Sequence, residues 1–561
     1  MALKIEKLKS FLGLGFGDGT RNDEYFYSSG MKFKRGGIEP GWKTVESANS
    51  STAGVTYMGT IQAFDERDEG GTTYIYGIDD NGDIFKCQDG TTAWTRDWVP
   101  TQTGHGNGII VGHGESQRVY YCGDKYLGAY DGTVHYDSWK SFGFSENIPR
   151  SPDRYEDWIV IPNGSTVAAL NITDDTWNNA GLTLPANMYA KIARSGRSGV
   201  LIGANFHNEG VLILWDVQTD RSLVPWIWTK GEIQGIAKYK GGWLVSTGRE
   251  ILLTDGYDIL RTYTIPDIED TYNFGPPTPG GMAVEDDKLM IISATPSYNR
   301  NKFGIYVLDL ITALWEFIPV STKNTYSNTE GGALYISSGN NRYVSWKDTF
   351  LTAPQQYIGT ITDAADSSCY ISPPLGTGSS KKKRAEGLIL SMNFALQDYN
   401  AYANPDWKIT AKLYNFKRPL WAYGVASSTS SSAIDIPVDG TVAGYNNAEV
   451  GDEITVLEGL NAGSIRHIAK IIRKDQANEI WTLDKALNNP IEANARVNVS
   501  PFRKVGEKRI SDNEIIDDRL FIPITKTMVG RKFLAKIVCE QTNMRPHIEN
   551  ISFIYDELDI R

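Results

Sequence analysis

The sequence predicts an all-β protein: an N-terminal β-propeller of about seven blades, followed by a C-terminal β-sandwich that carries an inserted small β-barrel. Three observations predict it. Two short phrases recur along the N-terminal part, an aromatic residue returns at blade length, and the composition changes after Phe350 into longer alternating strands.

The first phrase is a strand ending on Asp-Gly: Gly82-Asp-Ile-Phe-Lys-Cys-Gln-Asp-Gly90, Asp124-Lys-Tyr-Leu-Gly-Ala-Tyr-Asp-Gly132 and Gly248-Arg-Glu-Ile-Leu-Leu-Thr-Asp-Gly256. The second is Leu170-Asn-Ile-Thr-Asp-Asp-Thr-Trp177, matched by Leu308-Asp-Leu-Ile-Thr-Ala-Leu-Trp315, with Trp215-Asp-Val-Gln-Thr-Asp running on to Trp226. Each describes a strand, a polar turn and a strand bearing an aromatic. One aromatic per unit gives Trp94, Trp139, Trp177, Trp226, Tyr263, Trp315 and Trp346. Their mean step of about 42 residues is the length of a four-stranded blade. A blade cannot bury both faces of its sheet alone, so a large residue fills the gap to its neighbour.

Five segments follow in order. Residues 1–54 read as a Gly-rich lead-in ending in a ring-closing strand, and residues 55–352 as the propeller. Its short apolar runs, such as Val211-Leu-Ile-Leu-Trp215 and Leu289-Met-Ile-Ile-Ser293, are bounded by turn residues. Residues 353–384 read as a solvated linker ending in Lys381-Lys-Lys-Arg384. Residues 385–442 plus 503–561 alternate apolar and polar residues, as in Trp407-Lys-Ile-Thr-Ala-Lys-Leu-Tyr414, and predict a sandwich with one wet face per sheet. Residues 443–502, with Val450-Gly-Asp-Glu-Ile-Thr-Val-Leu457 and Ile480-Trp-Thr-Leu-Asp484, predict an autonomous small barrel.

Composition narrows the function classes. A net charge of −11 opposes avid binding to bulk DNA or an anionic membrane, and no apolar run reaches the ~18 residues of a membrane span. The start, Met1-Ala-Leu-Lys-Ile-Glu-Lys-Leu-Lys, lacks the apolar core of a signal peptide, so synthesis in a cytoplasm is expected. The four cysteines, Cys87, Cys122, Cys369 and Cys539, form no Cys-x-x-Cys pair.

Catalytic signatures are not found. Gly13-Leu-Gly-Phe-Gly-Asp-Gly-Thr20 lacks the Gly-Lys-Ser/Thr ending of a P-loop. His105 and His113 share one glycine-rich stretch without a third ligand beside them, and Asp79-Asp80 and Asp174-Asp175 sit at apparent turns. The chain is therefore expected to have no catalytic, cofactor-binding or metal-binding residues, and to be no enzyme. Exposed aromatics such as Trp228 and Tyr298 leave a glycan-binding propeller as the alternative, with a glycosidase behind it.

The arrangement as a whole resembles the propeller-bearing virion proteins of tailed bacteriophages, in the tail-nozzle and packaged-DNA-stabilisation group. The segments that carry the resemblance are Phe521-Ile-Pro-Ile through Phe533-Leu-Ala-Lys-Ile to Ile551-Ser-Phe-Ile-Tyr555, and the insertion Val450-Gly-Asp-Glu-Ile-Thr-Val-Leu-Glu-Gly459 with Trp481-Thr-Leu-Asp484. The resemblance implies a structural part of the virion at the tail or head–tail junction, made in the host cytoplasm. It implies a ring, commonly of six copies, meeting the portal or adaptor and other tail proteins. Genomic DNA would pass through that ring at ejection without sequence-specific contact. The runner-up is a receptor- or glycan-binding tail-fibre propeller.

Overall fold

The computed structural model describes residues 4–8, 27–29, 31–34, 37–40, 42–52, 54–56, 58–101, 109–111, 118–131, 134–143, 150–265, 275–293, 304–320, 329–348, 355–362, 367–372, 375–377, 380–393, 407–415, 422–425, 428–430, 432–438, 448–456, 461, 464–473, 479–493, 495–500, 502–510, 519–540 and 547–558. Among them the regular elements are all strands, and the chain divides into two compact units. One unit spans Thr44–Trp315 and Ser327–Thr362; the other spans Met1–Lys43, Glu316–Tyr326 and Asp363–Arg561.

The first unit is a seven-bladed antiparallel propeller: six blades are separate four-stranded sheets, and the strands of the sixth belong to a ten-stranded sheet. Its innermost strands are Ile61–Glu69, Ile109–Val111, Asp153–Tyr155, Met188–Gly196, Gly235–Tyr239, Met282–Glu285 and Thr329–Ile336. The third strand turns into the outermost one through a repeated side-chain cap. Asn171, Asp216, Asp255 and Asp309 each accept a hydrogen bond from the backbone N–H two residues on, at 2.9–3.1 Å. This is the turn chemistry the repeated phrases encode, since a short carboxylate or amide can replace a backbone acceptor in a tight turn.

Hydrophobic clusters lie in the seams between consecutive blades. Val160 and Leu182 of the third blade pack with Ile202, Ile213 and Trp215 of the fourth. Leu201 and Leu212 of the fourth pack with Ile236, Trp243 and Val245 of the fifth. Trp243 is fully buried, donates its Nε1–H to the Arg194 carbonyl at 2.9 Å, and lies where a Cβ on Gly196 would come within 2.3 Å. The ring closes on the strand Lys43–Asn49, which is the outermost strand of the seventh blade beside Gln355–Thr362. Tyr343 and Ser337 of that blade donate to Asp89 of the first, at 2.8 and 2.9 Å, and Ser345 donates to the Ile61 carbonyl at 2.7 Å.

Six of the seven expected aromatics lie on, or just before, an outermost strand. Trp346 does not: it sits in the second strand of the seventh blade, opposite Tyr357, and stacks on that ring at 5.3 Å. Its strand pairs onward with Gln355–Thr362, so the propeller continues past the expected end at 352.

The second unit departs further from the expected segments. Lys4–Leu8 pairs with the C-terminal strand His547–Leu558, Tyr27–Ser29 with Ser367–Ile371, and Ile38 with Ile548. Most described strands of the lead-in thus belong to the sandwich, and in the chain the propeller is the inserted part. Local patterning could not reveal this, because the pairings join residues more than 330 positions apart.

One sandwich sheet includes Lys382–Asn393 between His547–Leu558 and Arg519–Gly530; the other runs Tyr27–Ser29, Ser367–Ile371, Leu534–Glu540, Trp407–Tyr414, Arg503–Ile510. They meet where Phe533 and Phe553 rings lie 5.1 Å apart. The basic run expected as a linker begins one of these strands. Lys383 is fully buried: its ammonium donates to the Lys381 and Arg531 carbonyls at 3.1 and 3.2 Å and faces the Tyr555 ring at 5.7 Å. Arg384 meets Glu386 and Asp556. The run folds because opposite charges stand beside it in the ladder.

The inserted module begins at Ala422 rather than 443, since Ala422–Val425 pairs with Arg496–Ser500. It is one six-stranded sheet, curled into a half-barrel around buried Trp481, Ile454, Ile436 and Val497.

Candidate functional site

The carboxylates that sequence reading singled out are occupied with structure. Asp79 is fully buried and accepts backbone N–H bonds from Gly59, Asn81 and Asp83 at 2.5, 3.0 and 2.8 Å. Burial pushes its carboxyl up to about 7, against the pull of those donors. Asp80 accepts from the Thr60 N–H at 3.0 Å and Asp174 from the Thr176 N–H at 2.9 Å, while Asp175 pairs with Arg118 at 3.2 Å. Among the described residues no three His, Cys, Asp or Glu side chains converge on a point that could hold a metal. His105, His113 and Tyr298 lie outside the described residues. Trp228 is 49% exposed, with its ring edge-on to Phe206 at 6.1 Å.

Two polar constellations went unread in the sequence. The first lies in the seam of the first and second blades. His135 is clamped between Trp98 and Tyr130, with ring centroids at 3.7 and 4.0 Å and planes within 6°. Asp137 accepts from Trp98 Nε1 at 3.0 Å, Tyr121 Oη at 2.5 Å, and both the N–H and hydroxyl of Thr101 at 2.7 Å. Burial works to raise this carboxyl, but the four donors hold it below the usual range. Beside them Glu69 faces Arg67 and Lys86 at 3.6 and 3.8 Å and accepts from Tyr76. Neutral donors surround Asp137 and two cations face Glu69, so the cluster acts as a polar staple between blades. The sequence signal was the density of aromatic and acidic residues in Tyr126–Asp137, which repeat counting passed over.

The second constellation joins the inserted module to the sandwich. Glu453, on the strand Glu453–Val456, pairs with Lys412 and, at 2.7 Å, with Lys536. Lys412 and Lys536 are partners in register on adjacent sandwich strands, so one carboxylate bridges two parallel cations. The side chains of Glu453 and Lys412 are 3% and 7% exposed. Burial alone would raise the Glu453 carboxyl, yet Lys536 and Lys412 outweigh it and hold it at about 2. Next to the trio, Arg503 of the sandwich pairs with Glu449 and reaches Asp452 at 4.0 Å. Breaking such a buried pair strands a charge in low dielectric, at a cost of about 3–5 kcal/mol. The module and the sandwich are thereby locked together, which differs from the autonomous barrel expected of 443–502.

Comparison with known proteins adds fold likeness only. No protein-family model matches the chain, and no curated protein matches it. Among solved structures, a virginiamycin B lyase from Staphylococcus aureus is similar over 57% of this chain and 98% of its own, at 14% identity and a TM-score of 0.39. BBS1N, from its complex with ARL6DN, covers 56% of this chain and 96% of its own, at 12% identity and 0.36. The CNH domain of AfRom2 covers 57% and 98%, at 11% identity and 0.35. The chain is a β-propeller protein with additional C-terminal sheets, on the strength of its own strand pairing.

Proposed function

We propose that the chain is a non-enzymatic structural protein of a tailed-phage virion, a tail-nozzle or head–tail hub component that works as an oligomeric ring. The observation that carries this reading is the uneven distribution of free sheet edges. Six of the propeller blades are separate four-stranded sheets, and the ring leaves short protected margins. The sandwich unit instead ends the sheet of its inserted module on Ala422–Val425 and Asp435–Val438, and its strand Arg519–Gly530 bears Phe521 at 52% exposure. Sheet-ending strands together with an exposed aromatic suit a head-to-tail contact, which closes into a ring when its rotation closes. The net charge of −11 suits a passage along which DNA slides without sticking. The portal or adaptor, other tail proteins and passing genomic DNA are the proposed partners. Mass photometry of the protein released from virions tests the reading. Six copies per particle is the expected result; a single copy contradicts it.

A second reading, glycan recognition by the propeller, is favoured by half-exposed Trp228 alone. Glycan-array binding that disappears in Trp228→Ala would support it, and an array without signal would remove it.

A further inference from the structure

The joint between the inserted module and the sandwich contains one group that the ion trio does not use. His467 lies directly opposite Glu453 in the ladder between Glu453–Val456 and Ile465–Arg473. Residues directly opposite in an antiparallel pair present their side chains on one face, so the imidazole stands beside the trio. Asp484, at the end of the neighbouring strand, accepts from the His467 backbone N–H at 2.9 Å and faces ring Nδ1 at 3.3 Å. With Nδ1 donating to that carboxylate, the neutral ring carries its lone pair on Nε2. Nε2 is buried and has no hydrogen-bond partner among the described residues.

We propose that His467 is a proton-operated release for this joint: protonation at Nε2 loosens the inserted module from the sandwich. A proton added there creates two liabilities together. It makes a buried N–H without an acceptor, and it places a third cation beside Lys412 and Lys536, which already share the single carboxylate of Glu453. The groups facing the ring are Lys412 from Trp407–Tyr414, Glu453 from Glu453–Val456 and Asp484, with Lys536 of Leu534–Glu540 behind Glu453. Arg466, on the ring's own strand, is held by the Ala486 carbonyl at 3.0 Å.

Burial, with Lys412 adding to it, lowers the ring below its ordinary 6.5, while Glu453 and Asp484 oppose. A base whose folded value is depressed leaves the joint intact above 6.5 and weakens it as pH falls below that value. Glu453 has its own window, below 4.5, so the two groups separate on the pH axis.

Hydrogen exchange of the full chain at about pH 7.5 and about pH 5, corrected for intrinsic rates, tests the proposal. Peptides over Glu453–Val456 and Ile465–Arg473 should exchange faster at the lower pH, by up to about tenfold per pH unit, the ceiling for one proton. Met188–Gly196 in the propeller should not change. In His467→Gln the pH difference should vanish. Equal protection of the wild type at both pH values, or a difference that persists in His467→Gln, overturns the proposal. Should that variant fail to fold, histidine-selective NMR titration of the wild type decides. Protonation of His467 below 6.5 together with the exchange onset supports the release, and protonation at or above 6.5 overturns it.

Discussion

Asp79 of the propeller and Glu453 of the sandwich unit show two opposite ways of satisfying a buried carboxyl group. In the propeller, Asp79 takes three backbone N–H bonds, and Asp309 caps a turn through the Ile311 and Thr312 N–H groups. In the sandwich unit, Glu453 holds two cations from another sheet, and Lys383 is received by two carbonyls. Turn caps are local and written into short phrases. The ion trio joins residues 41 and 83 positions apart. The caps are therefore set by short phrases, and the trio by the fold alone.

The largest way to break that contrast is Glu453→Ala. It leaves Lys412 and Lys536 buried without their carboxylate, and we expect a loss of about 3–5 kcal/mol confined to the sandwich unit. Calorimetry should show one transition moving down while the propeller transition stays. A joint shift would merge the two units into one cooperative block. Trp243→Ala is the mirror experiment, with about 3–5 kcal/mol lost from the propeller transition through the cavity between the fourth and fifth blades.

Acid sharpens the comparison without mutation. Glu453 is held at about 2 against an ordinary 4.5, so its contribution is complete above 4.5 and is lost as pH falls from there towards 2. Tryptophan fluorescence and exchange should find the sandwich unit opening first in that window. Propeller-first opening would contradict the assignment of the trio.

The smallest expected effect is at a single turn. Asp309→Ala removes the oxygen that accepts from two backbone N–H groups at the sixth blade and should cost about 1 kcal/mol by denaturant melting. A larger loss would mean the cap holds more than its own turn.

How much was legible follows from the same contrast. The repeated phrases exposed the blades because Asp216, Asp255 and Asp309 each close a turn within three residues. Outer-strand aromatics gave the period, although Trp346 entered the series from a second strand. The role of Lys4–Leu8 could not be read, since an amphipathic pentapeptide does not name a partner more than 540 residues away. Lys381–Arg384 looked solvated because a charge run carries no sign of Glu557 and Asp556 standing opposite. The His135 stack and the Glu453 trio stayed hidden for the same reason: their members are ordinary residues brought together by the fold.

The central claim is that both chain ends and the inserted module form one unit, with the propeller carried between them in the chain. Hydrogen exchange of the full chain through a denaturant series tests it most directly. Peptides from Lys4–Leu8 should lose protection together with His547–Leu558 and Glu453–Val456, in a step separate from Ile61–Glu69. Loss of protection at Lys4–Leu8 in step with Ile61–Glu69, while His547–Leu558 stays protected, would contradict it.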